Sequence, residues 1–221
     1  MKTIVIILAV TLGGVFTSMA CDGSAFMQRI TGSGKLVKQQ RAVTDFHGIE
    51  AGGAIEVIVT AQQEYNVEVE ADDNVISHVL TNVKGGVLHI ETDMESINDA
   101  TIRVRISLPT LDLLDISGAS NAKATHINSE TLTLEVSGAS KVTAEGTSKM
   151  LAGDISGASS LSAENLTAES VTIEASGASR GHVHATQSLT ADASGASAIY
   201  YSGDPKDRQV ETSGASSIKR R

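Results

Sequence analysis

The side chains with the most obvious capacity for chemistry are six carboxylates, each two residues ahead of one copy of a repeated tetrapeptide. The copies of Ser-Gly-Ala-Ser begin at Ser117, Ser137, Ser156, Ser176, Ser194 and Ser213, at spacings of 20, 19, 20, 18 and 19 residues. The carboxylates are Asp115, Glu135, Asp154, Glu174, Asp192 and Glu211, with Asp and Glu in strict alternation. Stacked one per repeat, neighbours about 4.8 Å apart repel by roughly 1 kcal/mol per pair in water and by more once desolvated. Such a column must stay wet or gather cations. Weak divalent-cation binding is one reading of an oxygen-rich column. A solvated strand face that resists sideways aggregation is the other, and it is preferred because such faces are ordinary.

Other candidates carry less. His182 and His184 lie two apart and share a strand face, a spacing that can chelate zinc, but the repeat places no third ligand and the pair reads as incidental. Tyr200 and Tyr201 are adjacent and so face opposite ways: Tyr201 packs inward, and Tyr200 is available to stack on a sugar or to cap the last repeat. Six serines at equivalent positions do not make a nucleophile, because an active site needs one distinct constellation.

The elements that position these groups follow from the repeat. Recurrence at this period marks a solenoid, whose units bury their apolar faces only by stacking. Aligned on the first Ser, the copies alternate with a period of two. Leu114, Leu134, Ile173 and Val210 stand three residues before it, and Leu132, Leu151, Val171 and Leu189 five before. Threonines and the carboxylates lie between them, facing water. After the tetrapeptide the alternation resumes with Ala122, Val142, Leu161, Gly181, Ile199 and Ile218 inward. Each unit therefore reads as a strand, a Ser-Gly-Ala-Ser corner, a second strand and a looser return through segments such as Glu145-Gly146-Thr147. Gly118, Gly138, Gly157, Gly177, Gly195 and Gly214 supply the corner with freedom for positive φ. The Ala beside each is expected to tuck under the next coil, and the flanking serines to bond across the turn. Helical repeats are excluded because no apolar stripe at i, i+3, i+4, i+7 survives across a unit. The fold expected is an all-β, single-stranded parallel β-solenoid, right-handed by the general preference of parallel crossovers.

Aromatics are only 3% of the chain, so the core must be aliphatic and rich in Ala. The start reads as an export signal over residues 1–20: Lys2, an apolar run from Ile4 to Phe16, and small residues at Ser18-Met19-Ala20. Cys21, the single cysteine, follows at once. That placement suggests lipid attachment after cleavage, although Ser18 stands where a lipoprotein signal usually has Leu, and ordinary cleavage after Ala20 stays open. Removing Lys2 leaves 16 basic against 26 acidic residues. That balance argues against nucleic acid as a partner and suits an exported, soluble surface.

Residues 21–40 read as a tether and the start of the fold, 41–110 as irregular rungs with a cap, and 111–221 as the regular rungs. Ile55, Val57 and Val59, then Tyr65, Val67 and Val69, then Ile102, Val104 and Ile106 alternate as strands. Asp72-Asp73-Asn74 reads as the N-cap of a short helix, and Lys84-Gly85-Gly86 as a hairpin turn. At the far end the charges of Lys219-Arg220-Arg221 discourage edge pairing.

Asp45-Phe46-His47-Gly48-Ile49-Glu50, Ala71 to Ile76, Leu108-Pro109, the repeated Ser-Gly-Ala-Ser and Tyr200 to Pro205 occur in an order that resembles the DUF2807 family, the auto-transporter adhesin head GIN domain. The resemblance runs from about Ile30 onward. It implies an exported β-solenoid of Bacteroidetes-type bacteria with an adhesin role, and brings no catalytic residue and no cofactor. Three functions follow for comparison. The leading one is a non-enzymatic cell-envelope module, of the outer membrane, cell surface or periplasm, offering a rigid repetitive surface to a glycan or surface protein. A pectin lyase-like glycan-active enzyme is the second, though only Lys141 and Arg180 lie near the carboxylate column. A structural envelope component without a soluble ligand is the third.

Overall fold

The computed structural model describes residues 29–94 and 96–221; the export segment and Cys21 lie outside them. Among the described residues nine strands precede the regular repeats: β1 (Arg29–Thr31), β2 (Leu36–Arg41), β3 (Gly48–Ala51), β4 (Glu56–Ala61), β5 (Asn66–Asp72), β6 (Val79–Lys84), β7 (Val87–Thr92), β8 (Ser96–Asn98) and β9 (Ile102–Leu108). Parallel and antiparallel pairing are mixed here. β6 and β7 form the hairpin expected at Gly85-Gly86, and β5 lies antiparallel between β2 and β9. The alternation read from the sequence is borne out, with Val57, Val59, Val67, Val69, Val104 and Ile106 all in the core.

Asp72-Asp73-Asn74 does not cap an α-helix. Only a 3-10 turn forms, at Ile76–His78, and no side chain caps it. The three side chains instead clamp chain segments from elsewhere. Asp72 accepts from the Gly34 and Thr101 amides, Asp73 from the Ser33 hydroxyl, and Asn74 donates to the Thr31 carbonyl. Long-range backbone donors outcompeted the local ones, and Val79 opens a strand where the helix reading needed another turn.

The remaining strands are β10 (Leu113–Ile116), β11 (Asn121–Val136), β12 (Lys141–Ile155), β13 (Ser160–Ala175), β14 (Arg180–Ala193), β15 (Ala198–Ser202), β16 (Asp207–Thr212) and β17 (Ser217–Arg220). They coil into a parallel β-solenoid of about five turns. Before the corner the ladder runs β7, β3, β10, β11, β12, β13, β14, β16; after it, β9, β4, β11, β12, β13, β14, β15, β17. Like therefore sits on like. Ile90, Ala51, Ile116, Val136, Ile155, Ala175 and Ala193 form one buried file. Each fully buried Leu or Ile of such a file contributes roughly 1.5–3 kcal/mol.

Two local expectations change. The corner alanines are exposed, and the second Ser turns inward: Ser120, Ser140, Ser159, Ser179 and Ser197 are buried, and Ser216 of the last copy is half-buried. Their hydroxyls are satisfied by backbone; Ser197 Oγ shares its one proton between the carbonyls of Ala175 at 2.9 Å and Ser194 at 2.8 Å. The close approach belongs to glycine. Gly138 has φ +74°, and a Cβ there would stand 2.4 Å from the carbonyl oxygen of Gly118 one coil away.

The return is not loose either. β11 to β14 run through it, absorbing unequal repeat lengths as register shifts, such as those between Ala124 and Ile127 and between Thr143 and Glu145. The bend is made at His126, φ 60°, and at Gly146, φ 142°.

Candidate functional site

The structure brings all six predicted carboxylates into one column. Asp115 pairs with Glu135, Glu135 with Asp154, Asp154 with Glu174, Glu174 with Asp192 and Asp192 with Glu211. It also adds a member. Glu50 on β3 is the register partner of Asp115, so the Asp and Glu alternation extends by one coil. Gly52-Gly53-Ala54 is then a degenerate corner, since Ala119 N donates to Gly53 O just as Ala139 N donates to Gly118 O. The signal was present in the sequence as Glu50 two residues before Gly52, but a 65-residue excursion through the cap separates it from Asp115. His89 follows Glu50 in register, and its Nδ1 lies 2.9 Å from Glu50 Oε2.

Beside the column run the first serines of the repeats. Asp115, Ser117, Glu135, Ser137, Asp154 and Ser156 line one shallow concavity of about 220 Å³, and the next coils line another of about 300 Å³. Asp115 is partly buried where its neighbours are exposed. Burial, and then the charges of Glu135 and Glu50, push its carboxyl above the usual range. Every group on this face accepts hydrogen bonds and the carboxylates repel. Among the described residues no three His, Cys, Asp or Glu side chains converge as a metal site.

A different arrangement lies after the second bend, and the sequence reading did not single it out. Asn128, Thr147 and Thr167 stack in register, as do Ser129 and Ser148 beside them. A third file is Glu130, Lys149 and Glu169. Lys149 Nζ is 2.7 Å from Glu130 Oε1, and Gln187 Nε2 donates to Glu169 Oε2 at 2.9 Å. These files, with Thr110 at one end, line a trough of about 500 Å³. The bond to Glu130, with the added charge of Glu169, raises the pKa of the Lys149 ammonium. Residues 130, 149, 169 and 187 fall 13, 12, 13 and 11 places after their corner serines, so alignment on the corner blurs them.

His182 and His184 do share a face but not a ligand. His182 stacks on Tyr200 at 4.9 Å between ring centroids, and its Nδ1 lies 3.6 Å from Glu164; His184 Nδ1 meets Ser202 Oγ at 2.9 Å. Burial lowers the pKa of His182, Glu164 opposing. The Arg221 guanidinium stands 4.5 Å from the Tyr200 centroid, so His182 from β14 and Arg221 beyond β17 sandwich the ring, and its faces are not free for a sugar. Tyr201 packs inward as expected, and its hydroxyl accepts from Arg208 at 2.6 Å.

The putative auto-transporter adhesin, head GIN domain profile of DUF2807 matches residues 45–205. The chain belongs to this family. The same architecture is shared by solved structures. A putative adhesin from Bacteroides fragilis superposes with a TM-score of 0.69 at 22% identity, covering 86% of this chain and 99% of its own. A putative lipid binding protein from Parabacteroides distasonis gives 0.53 at 17%, covering 88% and 100%. A putative adhesin from Parabacteroides merdae gives 0.50 at 18%, covering 88% and 99%. No curated relative matches the chain. At these identities the solved structures speak for the fold, and what the faces do follows from the chain's own residues.

Proposed function

We propose that this DUF2807 chain is a non-enzymatic, exported cell-envelope module that binds a surface glycan or surface protein through its repetitive faces. The observation that carries the reading is the register itself. Glu50 to Glu211 on one face, and Asn128 to Thr167 on another, repeat one group per coil at the spacing of hydrogen-bonded strands. A rigid surface with that period suits a partner that is itself extended and repetitive, and its ordering is complete before binding.

The family and the names of the superposed adhesins are consistent with this role. Attachment through Cys21 to an outer-membrane or surface leaflet belongs to the same proposal and is tested by labelling with a radioactive fatty acid and by Cys21→Ser.

The direct test applies the purified chain to a glycan array and to immobilised envelope and host-matrix proteins. Parallel incubation with polygalacturonate looks for new reducing ends or unsaturated product. Saturable binding without product is expected; turnover of the polymer would sink the reading.

A further inference from the structure

We propose that the trough after the second bend is a binding subsite for an extended, uncharged oligosaccharide lying along the solenoid axis. This rests on the surface-binding reading and names its face and its ligand class.

Three properties of the trough point to that ligand. The first is its mixture of donors and acceptors. Asn128, Thr147 and Thr167 present an amide and two hydroxyls in one exposed file, while Ser148 behind them is buried and gives its proton to the Met150 carbonyl. Sugar hydroxyls both donate and accept, so they need both kinds of partner. The acidic face also carries serine hydroxyls, but there they stand beside a column of carboxylates that only accept and repel one another.

The second is pre-ordering. Thr147 Oγ1 donates to Asn128 Oδ1 at 3.3 Å, and Ser129 and Ser148 lie 3.4 Å apart. Lys149 is fastened to Glu130, and Gln187 to Glu169, so the long side chains of the second wall already lie along the axis. Binding then costs less side-chain freedom than four loose chains would lose.

The third is alternating charge. Glu130, Lys149 and Glu169 place opposite signs on successive coils. A polyanion would meet a repelling carboxylate on every second coil, and a polycation would meet Lys149 between them. A neutral chain running parallel to the axis crosses both signs without that penalty. The hollow of about 500 Å³ lies in the size range of small-molecule sites.

The test is titration of the purified chain with cellohexaose, xylohexaose, mannohexaose and chitohexaose, alongside the variants Asn128→Ala, Thr147→Arg, Thr147→Ser and, on the β6–β7 hairpin away from both faces, Lys84→Gln. All three positions are exposed, and a melting curve for each variant reports folding. At least one hexaose is expected to bind. Asn128→Ala and Thr147→Arg should weaken it by about tenfold or more, Thr147→Ser should stay near the wild type, and Lys84→Gln should leave it unchanged. Should Thr147→Arg fail to fold, Asn128→Ala carries the result. Binding that survives both trough variants, or that is lost in Lys84→Gln, overturns the subsite. Failure of all four hexaoses while envelope proteins or polygalacturonate still bind also overturns it, and leaves the surface-binding reading standing; failure of every ligand sinks both.

Discussion

His89 Nδ1 lies 2.9 Å from Glu50 Oε2, and this pair stands at the cap end of the carboxylate column. The column thus begins against a basic side chain and continues through like charges. Asp115, next after Glu50, is the member with its pKa raised by burial and by its two neighbours. Glu50→Gln removes one of those neighbours, so the Asp115 carboxyl is expected to titrate closer to the ordinary range, as followed by carboxyl-carbon NMR. An unmoved titration would separate Glu50 from the column.

Asp115→Asn tests the sign of that strain. A carboxyl whose folded pKa is raised contributes stability below its ordinary range and loses it as pH rises through the raised value. At pH 7 the wild type therefore carries the repulsion, roughly 1 kcal/mol for each neighbouring pair in water. Asp115→Asn should melt about 2–4 °C higher per kcal/mol relieved at pH 7, and the gain should shrink in acid. Added salt should narrow the gap by screening. A lower melting point at pH 7 would contradict this account.

Arg105 bridges Glu68 at 3.1 Å and Glu70 at 2.6 Å on the outward side of β5 and β9. Its hydrogen bond lowers the pKa of Glu70, and bonds from Lys38 and Arg105 lower that of Glu68. Lowered carboxyls contribute stability above their ordinary range and lose it as pH falls through the lowered value. Arg105→Met should lower the melting temperature by several degrees at pH 7, with the difference fading as both glutamates protonate. A pH-independent deficit would mean that lost packing, rather than charge, is responsible.

Gly138→Ala places a Cβ 2.4 Å from the Gly118 carbonyl oxygen at a φ of +74°. The left-handed conformation alone costs about 1–2 kcal/mol, before the coils are forced apart. A loss of about 2 kcal/mol or more is expected in denaturant unfolding. Ala139→Ser, one residue away and exposed, should be nearly silent. Equal stability of the two variants would remove the stacked-corner explanation.

Tyr200→Ala takes the stacked ring from His182 and opens it to water. Burial is the main cause of the lowered His182 pKa, so the variant should titrate nearer the ordinary histidine value by NMR. No change would place the burial elsewhere in the strand.

The sequence by itself determined the coil. Ser-Gly-Ala-Ser at near-fixed spacing, period-two apolar residues and a carboxylate before each corner leave little choice, because strand alternation and glycine sterics act within a few residues. Tertiary structure decided what those rules do not reach. Instead of capping a helix, Asp72 and Asn74 found the backbone amides of Gly34, Thr101 and Ser33, and Asp73 the Ser33 hydroxyl, a choice set by contacts far apart in the chain. Glu50 joined the column only when β3 docked on β10. The Glu130, Lys149 and Glu169 file exists because register shifts in the return bring unequal repeats level, and a shift of pairing is energetic rather than written in any one residue. Local periodicity specified the coil, and the trough formed only where stacked coils met.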